Sequence, residues 1–486
     1  MVYGALEGEQ KPERLIPARP GTGRAGAAAA RDKALAELLR GAGFRGSKNE
    51  TCLLPRGNAW VLVVGLGKAK DLSLDQARQF AATAARAVRA KGHTRLTLPV
   101  LNERAVGSVT RTAQAMAEGA LLGLYRYDKL KEIPKHEQGK RIDALTLIVD
   151  DARDVAQAKR GVEKAEAIAE AVYLTRDLIT GPSNIITPTH LANEARRLAK
   201  QYRLKCTVIP FAHLKQLGFG GLVGVAQGSA HPAQFIVLEY KPARARATFA
   251  LCGKGITFDT GGISIKPSLR MEEMKYDMSG AAAVLGTLKA AAALKLPHHI
   301  VGIIAATENM PSGTAQKPGD VVKTLSGKTI EVINTDAEGR LVLSDCLHYA
   351  KRYKPDVCID LATLTGACVV ALGAEAAGLM TKNDRLATRI EEAGNATHER
   401  VWRLPMWDEY AEMLKSDIAD IKNVTDTGQA GTITAAKFLE TFAEGLPWAH
   451  VDIAATAWTQ KDKPYVPKGA VGIGVRLLIE LMERWK

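Results

Sequence analysis

Short apolar runs alternate with amphipathic ones along most of the chain. In the first third, residues 60–64 read as a strand, 74–90 as an amphipathic helix, 95–100 as a strand, 105–124 as a helix and 145–149 as a strand. This is the rhythm of an α/β domain. A long helical run over 155–179 follows and is stopped by Gly181-Pro182, because proline cannot continue a helix. Beyond it the rhythm resumes on a larger scale. Strands are expected at 234–240, 248–252, 300–305, 357–361 and 450–454, with helices at 280–294, 341–353 and 434–443. Strands that are apolar almost throughout are covered on both faces. The expected fold is therefore α/β: a smaller N-terminal α/β domain (1–154), a linker helix (155–181) and a larger C-terminal α/β domain (182–486) with a central, mostly parallel sheet. The Gly/Ala-rich stretch 21–30 reads as an exposed connection.

Composition narrows the class. With 486 residues and 46% hydrophobic content, the chain can bury more than one core. Its longest apolar runs, 280–293 and 357–372, fall short of the ~20 residues a membrane-spanning helix needs, so no membrane role is expected. Residues 1–13 carry Glu7, Glu9 and Glu13 and lack the basic and apolar regions of a secretory signal, which predicts a cytoplasmic protein. Six scattered cysteines without a C-x-x-C pair suit a reducing compartment and argue against a thiolate zinc site. The net charge of +14 raises DNA binding as a secondary hypothesis. The Lys and Arg residues are dispersed, however, so a solvated basic surface is the plainer reading.

The chemistry lies where polar residues interrupt apolar, glycine-rich segments. A strand at 248–252 is expected to run into a Gly-rich loop carrying Lys254, Asp259 and Lys266. Asp277 stands just before an Ala-rich helix, and Asp336 and Glu338 follow in Asn334-Thr335-Asp336-Ala337-Glu338-Gly339-Arg340-Leu341. Two residues apart in an extended stretch, Asp336 and Glu338 would point the same way. Taken singly, each carboxylate could be a helix cap or an ion-pair partner, Asp277 above all. Together, buried carboxylates are costly unless paired or bound to cations, and four exceed the need of one ion. Two divalent metals are expected, with Mg²⁺, Mn²⁺ and Zn²⁺ all accepting such oxygens.

These residues resemble the leucyl aminopeptidase family. The octapeptide 334–341 looks identical to the family signature. Lys254, Asp259, Lys266 and Asp277 stand at the family's spacing. The likeness extends through Arg176-Asp177-Leu178, Pro182-Ser183-Asn184, Gly220-Gly221-Leu222, Gln227-Gly228-Ser229, 360–367, Ile433-Thr434-Ala435-Ala436 and 450–458. The chain departs from the pattern at Phe219, where methionine is common, and at Ala455, where glycine is usual.

The resemblance implies a metallo-exopeptidase whose catalytic domain is 182–486. One metal would be held by Lys254, Asp259, Asp277 and Glu338, and a second, exchangeable one by Asp259, Asp336 and Glu338, as Mn²⁺ or Zn²⁺. Lys254 would ligate as neutral amine. A metal-bridging water would attack the scissile carbonyl, Lys266 would stabilise the oxyanion, and Arg340 would hold a bicarbonate acting as base. Met274, Asn334, Thr363, Leu364 and Gly366 would contact the peptide substrate, with a leucine or methionine preference. The resemblance also implies a homohexamer, and for some members a DNA-binding role.

Other signals are weaker. Gly65-Leu66-Gly67 lacks the third glycine of a dinucleotide turn. Ser326-Gly327-Lys328-Thr329 has Val322 where a phosphate loop needs its first glycine. His298 and His299 are not at metal-ligand spacing, and no serine sits in Gly-x-Ser-x-Gly. Carboxylates alone would also suit a two-metal phosphoesterase, but such sites usually add histidines.

Overall fold

The computed structural model describes residues 2–7, 35–56, 59–101 and 106–485. The glycine/alanine stretch at 21–30 and the start of the helix expected at 105 lie outside them. The chain forms two compact units, Met1–Glu170 with Lys461–Lys468, and Ala171–Gln460 with Gly469–Lys486.

In the first unit, β1 (Val2–Leu6) runs parallel to β3 (Ala59–Gly67), which pairs antiparallel with β2 (Thr51–Arg56); β4 (Arg95–Pro99) and β5 (Ala144–Ile148) form a parallel pair. Helices α1 (Leu74–Ala90) and α2 (Val109–Gly123) start at serines, Ser73 and Ser108, whose hydroxyls accept a backbone N–H of the first turn, the usual serine cap. Arg78 and Glu118 pair at 2.9 Å between these helices, both buried. The division falls within α3 (Val155–Thr180). The sequence placed all of 182–486 in one domain, but residues 461–468 cluster with the first unit. The reason is local: Arg86 pairs with Asp462 at 3.0 Å and donates to the Lys463 carbonyl at 2.9 Å, and the Tyr465 hydroxyl donates to Asp75.

The second unit is built on eight strands. Their order is β14 (Val401–Arg403), β13 (Ala377–Met380), β16 (Trp448–Asp452), β12 (Val357–Ala362), β8 (Thr248–Asp259), β9 (His299–Asn309), β7 (Gln234–Tyr240) and β6 (Lys205–Pro210). The four central strands β16, β12, β8 and β9 are mutually parallel. Toward the edges β13 meets β16 antiparallel, and β7 and β6 are antiparallel to their neighbours. The sheet is thus mixed around a parallel centre. A three-stranded sheet of β10 (Val321–Lys323), β11 (Thr329–Glu331) and β15 (Ile421–Lys422) lies apart from it in the pairing order.

The expected loop after residue 252 is strand. β8 continues in register with β9 through Ile256 and ends at Asp259. Successive residues of β8 face opposite ways. A side chain at Gly253 would meet Ala281 of α6 (Ser279–Ala293), whereas Lys254 lies against Gly339 of α7 (Glu338–Ala350). Helices therefore cover both faces of the central strands. Other helices used below are α4 (Pro188–Tyr202), α5 (Gly220–Ala226), α8 (Gly366–Leu372), α9 (Asp384–Thr397), α10 (Gly431–Ala443) and α11 (Val475–Arg484). Among the described residues no helix is long and apolar enough to cross a membrane.

Candidate active site

Four segments distant in sequence meet at the C-terminal ends of β8, β9 and β12: the end of β8 with its following loop, a 3₁₀ turn at Met271–Met278, the start of α7, and the loop after β12. Lys254 sits inside β8, buried. Its Nζ lies 2.8 Å from Asp277 Oδ2 and 2.8 Å from Glu338 Oε1, and donates to the Thr363 carbonyl at 2.9 Å. Lys266, partly exposed, places Nζ 2.9 Å from Asp259 Oδ2 and against Asp336 Oδ1. One carboxylate oxygen from each of Asp259, Asp336 and Glu338 lies within 4.8 Å of the others.

Asp277 is not a helix cap: it lies within the 3₁₀ turn, and the N-cap of α6 is Met278, which makes no side-chain cap. Its carboxylate instead accepts the Thr363 hydroxyl at 2.7 Å and faces Lys254. Nor do Asp336 and Glu338 converge through an extended stretch. The Asn334 side chain accepts the Asp336 N–H at 2.8 Å and the Asn334 carbonyl accepts the Ala337 N–H at 3.2 Å, making a turn, and Glu338 opens α7. Asn334 thus shapes the loop through both its side chain and its carbonyl.

The electrostatics are those of an over-filled acidic centre. Burial pulls the Lys254 and Lys266 ammoniums toward neutrality, but the surrounding carboxylates outweigh it and hold both above the usual lysine range. Among protein groups alone, Lys254 is therefore an ion-pair partner of Asp277 and Glu338. Burial pushes the Asp277 carboxyl well above its usual range. It also pushes Asp336 up to about 6, the Asp259 carboxylate acting in the same direction. Asp277 Oδ2, Asp336 Oδ1 and Glu338 Oε1 are buried and accept no well-aligned hydrogen bond among the described residues. Four carboxylates facing two ammoniums leave excess negative charge in low-dielectric surroundings. Oxygen donors in this state fit divalent cations.

Arg340, buried on α7, donates from one terminal nitrogen to the Asn423 carbonyl at 2.6 Å, while its Nε has no partner among the described residues. Burial lowers its pKa to about 10, against the pull of Glu338 and Asp452. A planar anion is what such a guanidinium edge accepts. Of the expected substrate contacts, Met274 is half-buried on the 3₁₀ turn and Thr363 is engaged with Lys254 and Asp277. Leu364 is half-buried, and Gly366 is exposed with open space above its Cα.

Sequence reasoning missed the residues that orient this set. Asn309, ending β9, donates to Asp259 Oδ1 at 2.8 Å and to the Thr335 carbonyl at 3.0 Å. The Thr335 hydroxyl donates to the Gly261 carbonyl at 2.6 Å and accepts the Ser264 N–H at 2.8 Å, lacing the two ligand-bearing loops together. Asn423 accepts the Ile333 N–H and donates to the Asn334 carbonyl, at 2.8 and 2.7 Å. Gly261 and Gly262 have φ of +89° and +68°, a conformation that admits glycine and few others. Tyr276 stacks on Trp458 at 5.9 Å, its hydroxyl pushed up to about 12 by burial and then by the Asp277 carboxylate.

A doubly covered sheet whose parallel strands end in a buried lysine–carboxylate centre defines a class of α/β enzyme, with its chemistry beyond the carboxyl ends of the strands. Known relatives narrow that class. The catalytic domain of the cytosol aminopeptidase family matches residues 173–479, and the N-terminal domain of the same family matches 21–134. The chain is 50% identical to a probable cytosol aminopeptidase of Roseiflexus castenholzii over 460 residues, 93% of each chain. It is 50% identical over 428 residues to one from a Geobacter species, covering 87% of this chain and 85% of the relative. Among solved structures, the bottromycin maturation enzyme BotP in complex with Mn superposes with a TM-score of 0.86 at 37% identity, covering 99% of this chain and 98% of that one. The chain belongs to the cytosol aminopeptidase family and is an aminopeptidase.

Proposed function

We propose that the chain releases N-terminal amino acids from peptides using two divalent cations, Mn²⁺ or Zn²⁺, held by Lys254, Asp259, Asp277, Asp336 and Glu338. The observation that carries this reading is the convergence of carboxylate oxygens from Asp259, Asp336 and Glu338 within 4.8 Å. The Mn complex of the similar BotP supports it. Bound there, the cations would supply Lewis acidity and a water activated near neutral pH, and a bicarbonate at Arg340 would supply a proton acceptor.

The chain's own groups do the rest. The carboxylates and Lys254 set where the cations sit, and a cation among them would take over the charge compensation that Lys254 provides as ammonium. Lys266, on the more open side, donates from Nζ to the oxygen that becomes anionic as the amide is attacked. Arg340 presents its Nε edge to the bicarbonate. Thr363, Leu364 and Gly366 line the substrate through their backbone, and Met274 with Thr363 and Gly366 forms the first side-chain pocket, which suits leucine or methionine; a methylene is worth only ~1–3 kcal/mol of discrimination there. We read the working form as a cytoplasmic homohexamer; exposed Trp402 and Trp407, each 65% accessible in the single chain, are consistent with assembly.

The test is hydrolysis of aminoacyl p-nitroanilides after chelation and reconstitution with Mn²⁺ or Zn²⁺. Leucyl and methionyl substrates should lead, and Lys266→Ala should lower kcat by ~10²–10³-fold with little change in KM. Activity that survives complete chelation, or none with any metal, overturns the reading.

A further inference from the structure

The loop of residues 363–365, between β12 and α8, is held from two sides. One side is the centre itself: the Thr363 carbonyl accepts from Lys254 Nζ and the Thr363 hydroxyl donates to Asp277 Oδ1. The other side is a single carboxylate, Asp452, at the end of β16 and fully buried. Its Oδ1 accepts the N–H groups of Leu364 and Ala454, each at 3.1 Å, and its Oδ2 accepts the Thr365 hydroxyl at 2.7 Å. The Thr365 oxygen in turn accepts the Cys368 N–H at 3.1 Å, capping α8, and lies 3.0 Å from the Thr432 hydroxyl at the start of α10. Because Thr365 already donates to Asp452, Thr432 must be the donor in that contact. A hydrogen-bonded chain therefore runs from α10 through Thr365 to Asp452 and back to the backbone of Leu364.

A buried carboxylate is an expensive way to brace a loop, because its desolvation must be repaid by every bond it accepts. Here all of those bonds but one fall on two adjacent residues, and those two stand between the metal-facing Thr363 and the open Gly366. We propose that Asp452 is a positioning residue of the aminopeptidase reaction: it fixes the backbone of Leu364 and Thr365, and through them the wall against which the substrate's first residue lies. This rests on the reading above that Thr363, Leu364 and Gly366 line the substrate. Asp452 acts on substrate placement, while Thr363 secures Lys254 and Asp277 through its own bonds.

The test uses the full-length, Mn²⁺-loaded enzyme with leucyl p-nitroanilide, and three variants. Asp452→Ala removes every acceptor and should lower kcat/KM by ~10–100-fold, chiefly through KM. Asp452→Asn keeps an acceptor for Leu364 and should recover most of that loss. Thr365→Val keeps the carboxylate but removes the donor to its Oδ2 and the cap of α8, so thermal unfolding is measured beside the kinetics; the folded variant should raise KM in the same direction by less. Mn²⁺ affinity, measured by calorimetry on chelated Thr365→Val protein, should stay at the wild-type value. Wild-type kcat and KM in Thr365→Val overturn the proposal, as does a fall in Mn²⁺ affinity that accounts for the lost activity, since either would leave Asp452 as a fold brace only. A wild-type enzyme inactive on leucyl amides with any metal overturns the functional reading itself and is distinguished from both by the unsubstituted control.

Discussion

Gly339, the second residue of α7, offers a sharp test of how closely that helix must approach β8. A Cβ built there would lie 2.6 Å from Lys254 Cε and 2.8 Å from its Cδ and Nζ. Ordinary carbon contacts begin near ~3.5 Å, so a methyl group requires the end of Lys254 to move by about 0.9 Å. The atoms that must yield belong to a flexible side chain, so α7 itself can stay in place. What moves is the ammonium that sits 2.8 Å from both Asp277 and Glu338, and misplacing a group at a reacting centre by about 1 Å can cost ~10²-fold in rate. Fold stability faces a smaller, opposed pair of effects: alanine gains ~0.5–1 kcal/mol over glycine within a helix, against some loss in the ion cluster. Gly339→Ala should therefore lower kcat/KM by ~10²-fold while its unfolding midpoint shifts by only a few degrees. Steady-state kinetics on leucyl p-nitroanilide with Mn²⁺, beside thermal unfolding, reads both. Undiminished activity, or a collapse of stability that explains the loss, would refute the argument.

Two further outcomes follow from buried polar groups. Asn309→Ala removes the donor that binds both Asp259 Oδ1 and the Thr335 carbonyl and should weaken Mn²⁺ binding by ~10–100-fold in calorimetric titration; an unchanged affinity would show that Asp259 needs no orienting partner. Asp345, buried on α7, accepts the N–H groups of Leu222 and Leu325 at 2.9 and 2.8 Å, yet burial raises its carboxyl to about 7. The folded pKa exceeds the unfolded value of ~3.9, so the folded state binds more protons between them, and this group's contribution to stability declines as pH rises from about 4 to about 7. Asp345→Asn lacks that slope, so its unfolding midpoint relative to wild type should climb between about pH 4 and about pH 7; a gap that does not change with pH would contradict this.

Legibility of the fold varied with how much of its logic is local. α1 spans Leu74–Ala90, the expected range, because Ser73 caps it and its apolar face is periodic. The central strands were readable because full burial makes them continuously apolar. Strand direction was not: β7 is as apolar as β8, and nothing in its composition distinguishes antiparallel from parallel pairing. α4 has a local start signal in Thr187-Pro188, the threonine hydroxyl accepting the His190 N–H with proline in the first turn. α9 and α11 carry local signals as well, Asn383 capping α9 by accepting the Leu386 N–H at 3.0 Å, but that they pack on each other is a relation between distant segments that no local pattern shows. Within the site, the groups that carry charge were legible because chemistry restricts them to few residue types. Asn309, Thr335 and Asn423 were not, since an ordinary polar residue at a strand end acquires its meaning only from what it touches.

The glycines around Lys254 show how a local signal can mislead and still mark the right place. Gly253-Lys254-Gly255 interrupts an apolar run, and a Gly-rich interruption ordinarily means a loop. Here the chain continues as strand, because a glycine on each side of Lys254 lets neighbouring backbone close in: a Cβ at Gly253 would lie 2.8 Å from Ala281 Cα, and one at Gly255 would lie 2.7 Å from the Ala305 carbonyl oxygen. α6 can then press on one face of β8 while Gly339 admits α7 on the other, and the lysine between them is enclosed. An enclosed lysine can remain only where carboxylates converge on it, and Asp277 and Glu338 reach it from the 3₁₀ turn leading into α6 and from the start of α7. The small residues and the charged ones are thus one device. Enlarging Gly253 should push α6 away from β8, whereas enlarging Gly255 should strain the pairing of β8 with β9; either should disperse the acidic centre.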